Sequence, residues 1–540
     1  MIHSGQIVDL LTRRIYPGEI RVENGRIASL REVPSAPETY LLPGFVDAHI
    51  HIESSMLVPA AFARLAVVHG TVATVSDPHE IANVMGIEGV RYMQKSGRQV
   101  PFKFFFGAPS CVPATGFEQA GAHLGPEEID RLLQDPEILY LAEMMNYPGV
   151  IHGDPEVMAK LALARQYGKP IDGHAPGLRG EALQTYIEAG ISTDHESFTY
   201  EEGKEKLEKG MKLLIREGSA ARNFEALIDL LPAYPDRVMF CSDDKHPDDL
   251  LLGHINGLAR RAIARGIDPM IVLKAACVHP VTHYGLPVGQ LRPGDPADFI
   301  RLRDLADLEV LETWIEGRCV ARAGEPLIEV PPARIINQFA ASPKQAADFA
   351  LPATGRQVRA IVARDGELVT GSEVLSARIE HGLALADPAR DLLKIAVVNR
   401  YADVAPAVAF IRQVGLKAGA IASSVAHDSH NIVAVGCDDA SLCRAVNLVI
   451  GARGGIAVTG PEGEDVLPLP VGGIMSDQAG EVVAAGYQRL DRMAKALGSP
   501  LGAPFMTLSF MALLVIPSLK LSDQGLFDGD NFQFADLFSD

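Results

Sequence analysis

The 540-residue sequence is short of basic residues, which nucleic-acid-binding and membrane-surface proteins usually have in excess. Its 49 Lys and Arg stand against 68 Asp and Glu, so the formal net charge is -19. Such a charge sets up a field that repels phosphate backbones and anionic lipids. We therefore expect neither nucleic acid nor a membrane surface as a partner.

Closely spaced cysteines are also absent. The six cysteines lie far apart and form no CxxC motif: Cys111, Cys241, Cys277, Cys319, Cys437 and Cys443. This spacing excludes a dense disulfide framework and a thiolate zinc site. The cysteine usage favours a reducing compartment, and we expect the cytoplasm.

Long hydrophobic runs are missing as well. The first residues, MIHSGQIVDLLTRRIYPG, contain no basic segment followed by an apolar one, so we expect no signal peptide. The longest apolar stretch covers residues 506–519, contains Pro517 and is too short to cross a bilayer. We therefore expect no membrane span.

The chain is nevertheless apolar enough, at 47% hydrophobic residues, to form about three to four globular domains. Residues 1–42 read as short strands, and Asn24-Gly25 is a strong hairpin signal. Residues 284–330 return to the same β character. We predict that these two segments build one β-sandwich beside the central region.

The central region, residues 43–283, alternates short apolar runs with helix-like sequence. Strands that alternate with helices pair in parallel, and eight such units in about 240 residues match the size of a (β/α)8 barrel. We therefore predict an α/β fold with a TIM-like barrel and a separate C-terminal α/β domain over residues 335–540. The eight runs are GFVDAHIH, TVATVSD, FKFFFGA, LYLAEMM, PIDGHA, ISTDHE, MKLLIRE and RVMFCSDD.

Ionisable residues collect where these runs end. Barrel enzymes hold their catalytic groups at the carboxyl ends of the strands. In the first run Asp47, His49, His51 and Glu53 alternate with apolar residues, so they share one strand face. An HxH pair by itself often occurs by chance, and a lone histidine is more often a turn or core residue than a ligand.

The combination of runs is more specific than any one of them. Four histidines and two carboxylates supply enough nitrogen and oxygen ligands for two divalent cations, and the lack of nearby cysteine favours Mn, Fe or Zn. Cations about 3.5 to 4 Å apart repel each other and need a bridging carboxylate, for which Glu143 is the candidate. The predicted ligands are His49, His51, Glu143, His174, His195 and Asp243.

Longer motifs carry a family resemblance from about residue 40 to 520. The sequence resembles the adenine deaminase family of the amidohydrolase superfamily in PGFVDAHIHIESSM, TVSDPHEIANVMG, LAEMMNYPGV, DGHAPGL, TDHES, IREGSAARN, FCSDDKHPDDLL, VVNRY and GLKAGAIASSVAHDSHNIVAVG. The resemblance implies conversion of adenine to hypoxanthine and ammonia at a binuclear Mn²⁺ centre, with Fe²⁺ or Zn²⁺ as alternatives. It also favours a homodimer or larger homo-oligomer. Glu143 stands where many amidohydrolases have a carbamylated lysine.

Asp243 is predicted to bind metal and to move the proton of the attacking water to the leaving ammonia. Asp244 faces the other side of the strand and is expected to orient neighbours, but the choice between the two aspartates stays open. Glu53 is expected beside the metals, where it orients a ligand or the substrate.

Further substrate-binding or ligand-supporting positions are predicted in three motifs. The SDPHE motif is equally compatible with a simple turn. Arg222 is equally compatible with a surface cation that binds no substrate. The AHDSHN motif is a weak pattern in itself. The resemblance favours an AHDSHN loop that reaches the barrel mouth. The positions are Asp77, His79 and Glu80, Ser219 and Arg222, and His427, Asp428 and His430.

Three other functions are weighed against this one. His51-Ile52-Glu53 matches half of the signature of the zinc nucleobase deaminases, but the P-C-x-x-C half is missing from the sequence. A cyclic-amide hydrolase related to dihydroorotase or hydantoinase would use the same metals with a different pocket. A non-catalytic assembly protein of this fold would be expected to lose ligands, whereas all six predicted positions are filled.

Overall fold

A computed structural model of the protein describes residues 1–219 and 221–539. At its centre lie eight parallel strands, and each coincides with one of the eight predicted runs. The barrel strands, numbered one to eight along the chain, are Phe45–Ile50, Thr71–Ser76, Lys103–Ala108, Ile138–Met144, Ile171–Gly173, Thr193–Asp194, Lys212–Arg216 and Val238–Cys241.

These strands close into a ring. Strands one to five form one parallel sheet in chain order, and strands six to eight form another. The Ser192 N–H donates to the Ile171 carbonyl at 3.0 Å, which joins strand five to strand six. The Asp243 N–H donates to the His49 carbonyl at 3.0 Å, which joins the end of strand eight to strand one. The predicted (β/α)8 barrel is confirmed.

Helices follow most of the barrel strands and cover the ring. Several begin with proline at the first helical position, where the missing N–H would have no helical partner. The helices are Pro59–Ala66, His79–Met85, Ile87–Gly97, Pro126–Leu133, Tyr147–His152, Pro155–Gln166, Gly180–Glu188, Tyr200–Glu208, Phe224–Leu227, Pro247–Leu252, Ile255–Ala264, Pro269–Cys277 and His279–Tyr284, with 3-10 turns at Ile52–Ser55, Val67–His69 and Ile228–Leu230.

The two flanking segments meet in a single eight-stranded sheet. Tyr40–Pro43 pairs with Phe299–Leu302, which joins the N-terminal half of the sheet to the half that follows the barrel. The predicted hairpin is present. Asn24 and Gly25 both have positive φ, as its two-residue turn requires. The other strands are Ile2–Asp9, Arg14–Glu23, Arg26–Glu32, Val310–Ile315, Arg318–Arg322 and Glu325–Pro326. The domain boundaries stay a prediction.

The C-terminal region is built on a nine-stranded mixed sheet with helices Asp439–Ala452, Gly480–Ala496 and Pro504–Ser509. Its strands are Gln357–Val362, Gly371–Ser376, Leu393–Val398, Ala407–Arg412, Ala420–Ser423, Ile432–Gly436, Gly455–Gly460, Gly463–Pro468 and Phe538–Ser539. Two small sheets contain Leu351–Pro352, Arg378–Glu380 and Leu383–Leu385, and Leu519–Ser522, Gly525–Asp528 and Gln533–Phe534. Three 3-10 turns complete the region: Ala346–Phe349, Pro388–Arg390 and Phe510–Ala512.

The C-terminal region packs on the barrel at the carboxyl ends of its strands. Helix Pro247–Leu252, which follows strand eight, contacts helix Gly480–Ala496. The Ser476 N–H donates to the Met56 carbonyl at 2.8 Å, just after strand one. Ile81 of the barrel region and Ile474 of the C-terminal region belong to the same hydrophobic core, so one core runs through both regions. No helix within the described residues has both the length and the apolarity that a membrane span requires.

The entry into strand one leaves no space for a side chain. A Cβ on Gly44 would lie 2.3 Å from Val72 Cγ1 on strand two. We predict that Gly44→Ala lowers the free energy of unfolding by about 1 to 3 kcal/mol through overpacking. Denaturant unfolding followed by circular dichroism measures the change.

Gly257→Ala is the matched control, because Gly257 lies within helix Ile255–Ala264 and a Cβ there meets nothing within 4 Å. This change should stabilise the protein by about 0.5 to 1 kcal/mol. Equal stability of Gly44→Ala and the parent would show that strand two yields to the added methyl group.

Candidate metal centre

Strand one directs two imidazoles toward the barrel axis. His49 and His51 are both buried, and their Nε2 atoms lie 3.2 Å apart. The Asp77 carbonyl lies 3.1 Å from His51 Nδ1, so the opposite ring nitrogen faces the centre. Asp47, one step earlier on the same face, accepts a hydrogen bond from the Ser242 N–H at 3.0 Å. Asp47 therefore ties strand one to strand eight.

The Glu143 carboxylate lies between two groups of imidazoles. Its Oε1 is 3.1 Å from His51 Nε2, while its Oε2 is 2.6 Å from His174 Nδ1 and 3.2 Å from His195 Nε2. Burial alone would raise the pKa of Glu143, but His174 and His195 outweigh burial and hold this pKa well below its usual range. One carboxylate thus offers one oxygen to each group.

Asp243 completes the group around strand one. Its Oδ1 lies 3.2 Å from His51 Nε2 and 3.5 Å from His49 Nε2. Its backbone is in the left-handed region, with φ +55°, which few residues other than Gly, Asn and Asp adopt. Burial raises the pKa of Asp243, but the Arg216 guanidinium, together with the bonds to His49 and His51, outweighs burial and keeps this pKa well below its usual range.

Arg216 and Glu196 belong to the centre but were not among the predicted site residues. Arg216, the last residue of strand seven, donates from Nη2 to Glu196 Oε2 at 2.8 Å and from Nη1 to both Glu196 and Asp243. Glu196 Oε1 in turn lies 3.4 Å from His195 Nε2. Both residues stand inside the motifs TDHES and IREGSAARN, so their position at strand ends was a signal available in the sequence.

The donor set fits divalent cations. Ligand atoms lie within 4.8 Å of one another in His49, His195 and Asp243, and again in Glu143, His174 and His195. Within the described residues, His49 Nδ1 and His174 Nε2 are buried and have no hydrogen-bond partner. Buried charged groups need paired charges or metals, and nitrogen and oxygen donors without thiolate suit Mn, Fe or Zn.

A second layer of acidic and imidazole groups surrounds this centre. His79 Nδ1 lies 3.0 Å from Asp77 Oδ2 and 3.5 Å from Glu143 Oε1. Glu80 is held by both His427 Nδ1 and His430 Nε2 of the C-terminal region. The AHDSHN loop therefore does reach the barrel mouth.

Asp244 and Glu53 differ in position: Asp244 lines the same cavity as Asp243, whereas Glu53 is not among the lining residues. Asp244 Oδ1 accepts a hydrogen bond from Ser54 Oγ at 2.5 Å, and burial together with the charge of Asp243 raises the pKa of Asp244. Glu53 Oε1 accepts a bond from the Ile81 N–H at 3.2 Å, and burial raises the pKa of Glu53 to about 7. Glu53 thus anchors the helix that carries His79 and Glu80.

A small cavity opens onto the centre, and its two walls differ in chemistry. The barrel side is lined by imidazoles and carboxylates. The C-terminal side contributes Leu368, Phe510 and Leu513, besides His427 and Asp428. The Phe510 ring stacks on His427 with centroids 4.6 Å apart and planes at 13°.

Two predicted residues lie elsewhere. Ser219 Oγ donates to Asp249 Oδ2 at 2.6 Å, and Arg222 is half exposed with Nη2 3.7 Å from the same carboxylate oxygen. Both line a neighbouring cleft with His246 and Tyr487 instead of the cavity above the centre. Their role in substrate binding stays a prediction.

Comparison with known proteins gives two family matches along the chain. The model for the amidohydrolase family matches residues 40–320, and the model for the adenine deaminase C-terminal domain matches residues 367–533. The chain is 58% identical over 539 residues to the adenine deaminase of Salinibacter ruber, with 99% of each chain covered. It is 59% identical over 530 residues to that of a Sulfurovum species, with 98% of each covered, and 54% identical to that of Methanosarcina barkeri, with 99% of each covered. The chain belongs to the adenine deaminase family of amidohydrolases.

Proposed function

We propose that this chain hydrolyses adenine to hypoxanthine and ammonia at a binuclear Mn²⁺ centre. The observation that carries the proposal is the Glu143 carboxylate, whose two oxygens face separate groups of imidazoles. The family supports the substrate, since the curated relatives are named adenine deaminases. The proposed ligands are His49, His51, Glu143, His174, His195 and Asp243. Fe²⁺ and Zn²⁺ suit the same donors.

The reaction adds the oxygen of water to C6 of adenine and breaks the bond between C6 and the amino nitrogen. Divalent cations held by the proposed ligands would supply a water activated as a nucleophile near neutral pH. Asp243 accepts the proton of the attacking water and passes it to the departing amine. Arg216 keeps this carboxylate ionised and, with Glu196, fixes its orientation.

We propose that the purine ring enters the small cavity, which brings apolar and polar side chains together. Leu368, Phe510 and Leu513 offer an apolar surface to the purine ring, opposite the imidazoles and carboxylates. Adenine has N–H donors at its amino group and imidazole ring, and carboxylates accept such bonds. Glu80 and Asp428, which line the cavity, are the acceptors that we propose for them, with His79 as a neighbouring donor. Asp77 is proposed to support His79, whose Nδ1 lies 3.0 Å from Asp77 Oδ2.

Assembly and location complete the proposal. We propose a homodimer or larger homo-oligomer in the cytoplasm. The six cysteines, all within the described residues, are free thiols, which a reducing compartment preserves.

Ammonia release separates adenine deamination from its alternatives. After chelation and reconstitution with Mn²⁺, we expect release from adenine and not from adenosine or cytosine, and no opening of dihydroorotate or hydantoin. Enzymatic ammonia detection and loss of adenine absorbance measure the reaction. Turnover of a cyclic amide without turnover of adenine would assign the protein to the hydantoinase type, and no turnover with no tightly bound metal would favour an assembly role.

Replacing Glu143 tests the bridging role. Glu143→Gln removes the negative charge at nearly constant size, so we expect metal content to fall from about two per chain and adenine deamination to be lost. Metal analysis and the ammonia assay measure both. Glu309→Gln is the control, because Glu309 is exposed and pairs with Arg303 on the flanking sheet. Retained metal and activity in Glu143→Gln would reject the bridge.

Replacing the two adjacent aspartates one at a time tests which of them carries the proton. Asp243→Asn should lower kcat by about 10² to 10⁴, the usual contribution of general acid-base catalysis. Asp244→Asn keeps an acceptor for Ser54 Oγ and should lower kcat by less than about tenfold. Steady-state kinetics at saturating adenine measure the pair. The reverse order would assign proton transfer to Asp244.

A further inference from the structure

The apolar wall of the cavity is assembled from two separate segments of the C-terminal region. Leu368 lies between strands Gln357–Val362 and Gly371–Ser376, while Phe510 and Leu513 follow helix Pro504–Ser509. We call these three side chains the cover. Among the described residues, no hydrogen bond joins either segment to the barrel, so we attribute their relative position to contacts within the C-terminal region.

Lys520 connects the two segments. It lies on strand Leu519–Ser522 and is 0% exposed. Its Nζ donates to the Leu368 carbonyl at 2.7 Å and to the Phe510 carbonyl at 2.9 Å. One side chain thus bonds directly to the backbone of two cover residues. The Thr370 side chain, which donates to the Leu519 carbonyl at 2.7 Å, fixes the lysine-bearing strand to the first segment.

An ammonium in this position is costly for the fold. The described part of the chain provides Lys520 with two carbonyls and no carboxylate, and burial lowers the pKa of Lys520 to about 7. A buried methionine of similar length would avoid this desolvation cost. A neutral amine retains two N–H groups, so both bonds persist in either protonation state.

A second buried lysine in the same region shows the more usual arrangement. Lys394 is also 0% exposed, but its Nζ donates to the Asp439 carboxylate at 2.6 Å as well as to the Phe349 carbonyl at 2.9 Å. None of these partners lines the cavity. Lys394 therefore has a charge partner and bonds away from the cavity, whereas Lys520 has no charge partner among the described residues and bonds to two residues of the cavity wall.

The cover is coupled to the polar side of the site through Phe510. Its ring stacks on His427, and His427 holds Glu80, which lies 3.5 Å from His79. A shift of the Phe510 backbone would move the ring that supports His427. Lys520 is thus three contacts from Glu80, one of the side chains that we propose to receive the purine edge.

We propose that Lys520 is a positioning residue, which holds the cover in place over the metal centre so that adenine binds in a closed cavity. The proposal rests on the proposed deamination of adenine. Lys520 touches no reacting atom, so its loss should weaken substrate binding more than it slows the chemical step.

Lys520→Met tests the proposal, with Lys394→Met as the matched control. Lys520→Met keeps the length of the side chain and removes both donors. We expect a rise of about tenfold in KM for adenine, since two buried carbonyls lose their partner. We expect kcat within about threefold of the parent and unchanged metal content. Lys394→Met should lower the melting temperature and leave KM unchanged.

Hydrogen–deuterium exchange gives a readout that needs no activity. Without adenine, residues 366–370 and 508–514 should exchange faster in Lys520→Met than in the parent, and not in Lys394→Met. If the parent protein does not deaminate adenine, the proposed function fails while this comparison still tests Lys520. Unchanged KM and exchange in Lys520→Met, or an equal rise of KM in Lys394→Met, would overturn the proposal.

A milder variant keeps the test open if Lys520→Met does not fold. Lys520→Gln retains an N–H donor group on a shorter side chain, so it should reach at most one of the two carbonyls. We expect a KM between those of the parent and Lys520→Met, and faster exchange in one of the two segments. A folded Lys520→Gln with parental KM and exchange would contradict the positioning role.

Discussion

Burial of charge around the Glu143 carboxylate is the constraint on which the rest of the site depends. Four imidazoles and the carboxylates of Glu143 and Asp243 converge where the barrel strands end, and all are buried. Charges in such a place are stable only with opposite charges or cations beside them. The Arg216 guanidinium places a positive charge beside Asp243, and the proposed metals would place positive charge at the centre. The strained backbone of Asp243 persists because bonds to strand one surround it.

The same constraint explains why the C-terminal region closes the cavity above the candidate metal centre. Electrostatic interactions strengthen where water is excluded, so a hydrolase gains from a cavity that closes over its reacting groups. The barrel supplies the open ends of its strands, and the C-terminal region supplies both an apolar wall and the histidines that hold Glu80. Neither part alone contains the complete cavity.

Sequence patterns predicted the parts of this arrangement that depend on local periodicity. The eight strands were found because buried parallel strands are short apolar runs, and the alternation in DAHIH placed His49 and His51 on one face. Arg216 and Glu196 were not predicted as site residues, because the ion pairs of Arg216 with Glu196 and Asp243 exist only once strands six, seven and eight lie side by side. The contact of His427 with Glu80 joins distant parts of the chain, and only the family resemblance pointed to it. Ser219 and Arg222 were assigned from a motif, and a loop motif does not determine the direction in which its side chains point, so their place in a neighbouring cleft leaves their role a prediction.

The proposed ligands and the apolar wall stand on different parts of the structure. The proposed ligands stand on strands or directly after them, where neighbouring strands fix each backbone by hydrogen bonds. The apolar wall stands on segments outside the barrel, fixed to each other through a buried lysine and two carbonyls. Barrel enzymes vary their chemistry through the elements above the strand ends while the ring stays constant. The geometry of the proposed metal centre can therefore stay fixed while the side chains around it differ, namely His79 and Glu80 on the barrel and the cover on the C-terminal region. In our proposal these surrounding side chains, and not the ligands, set which ring is bound.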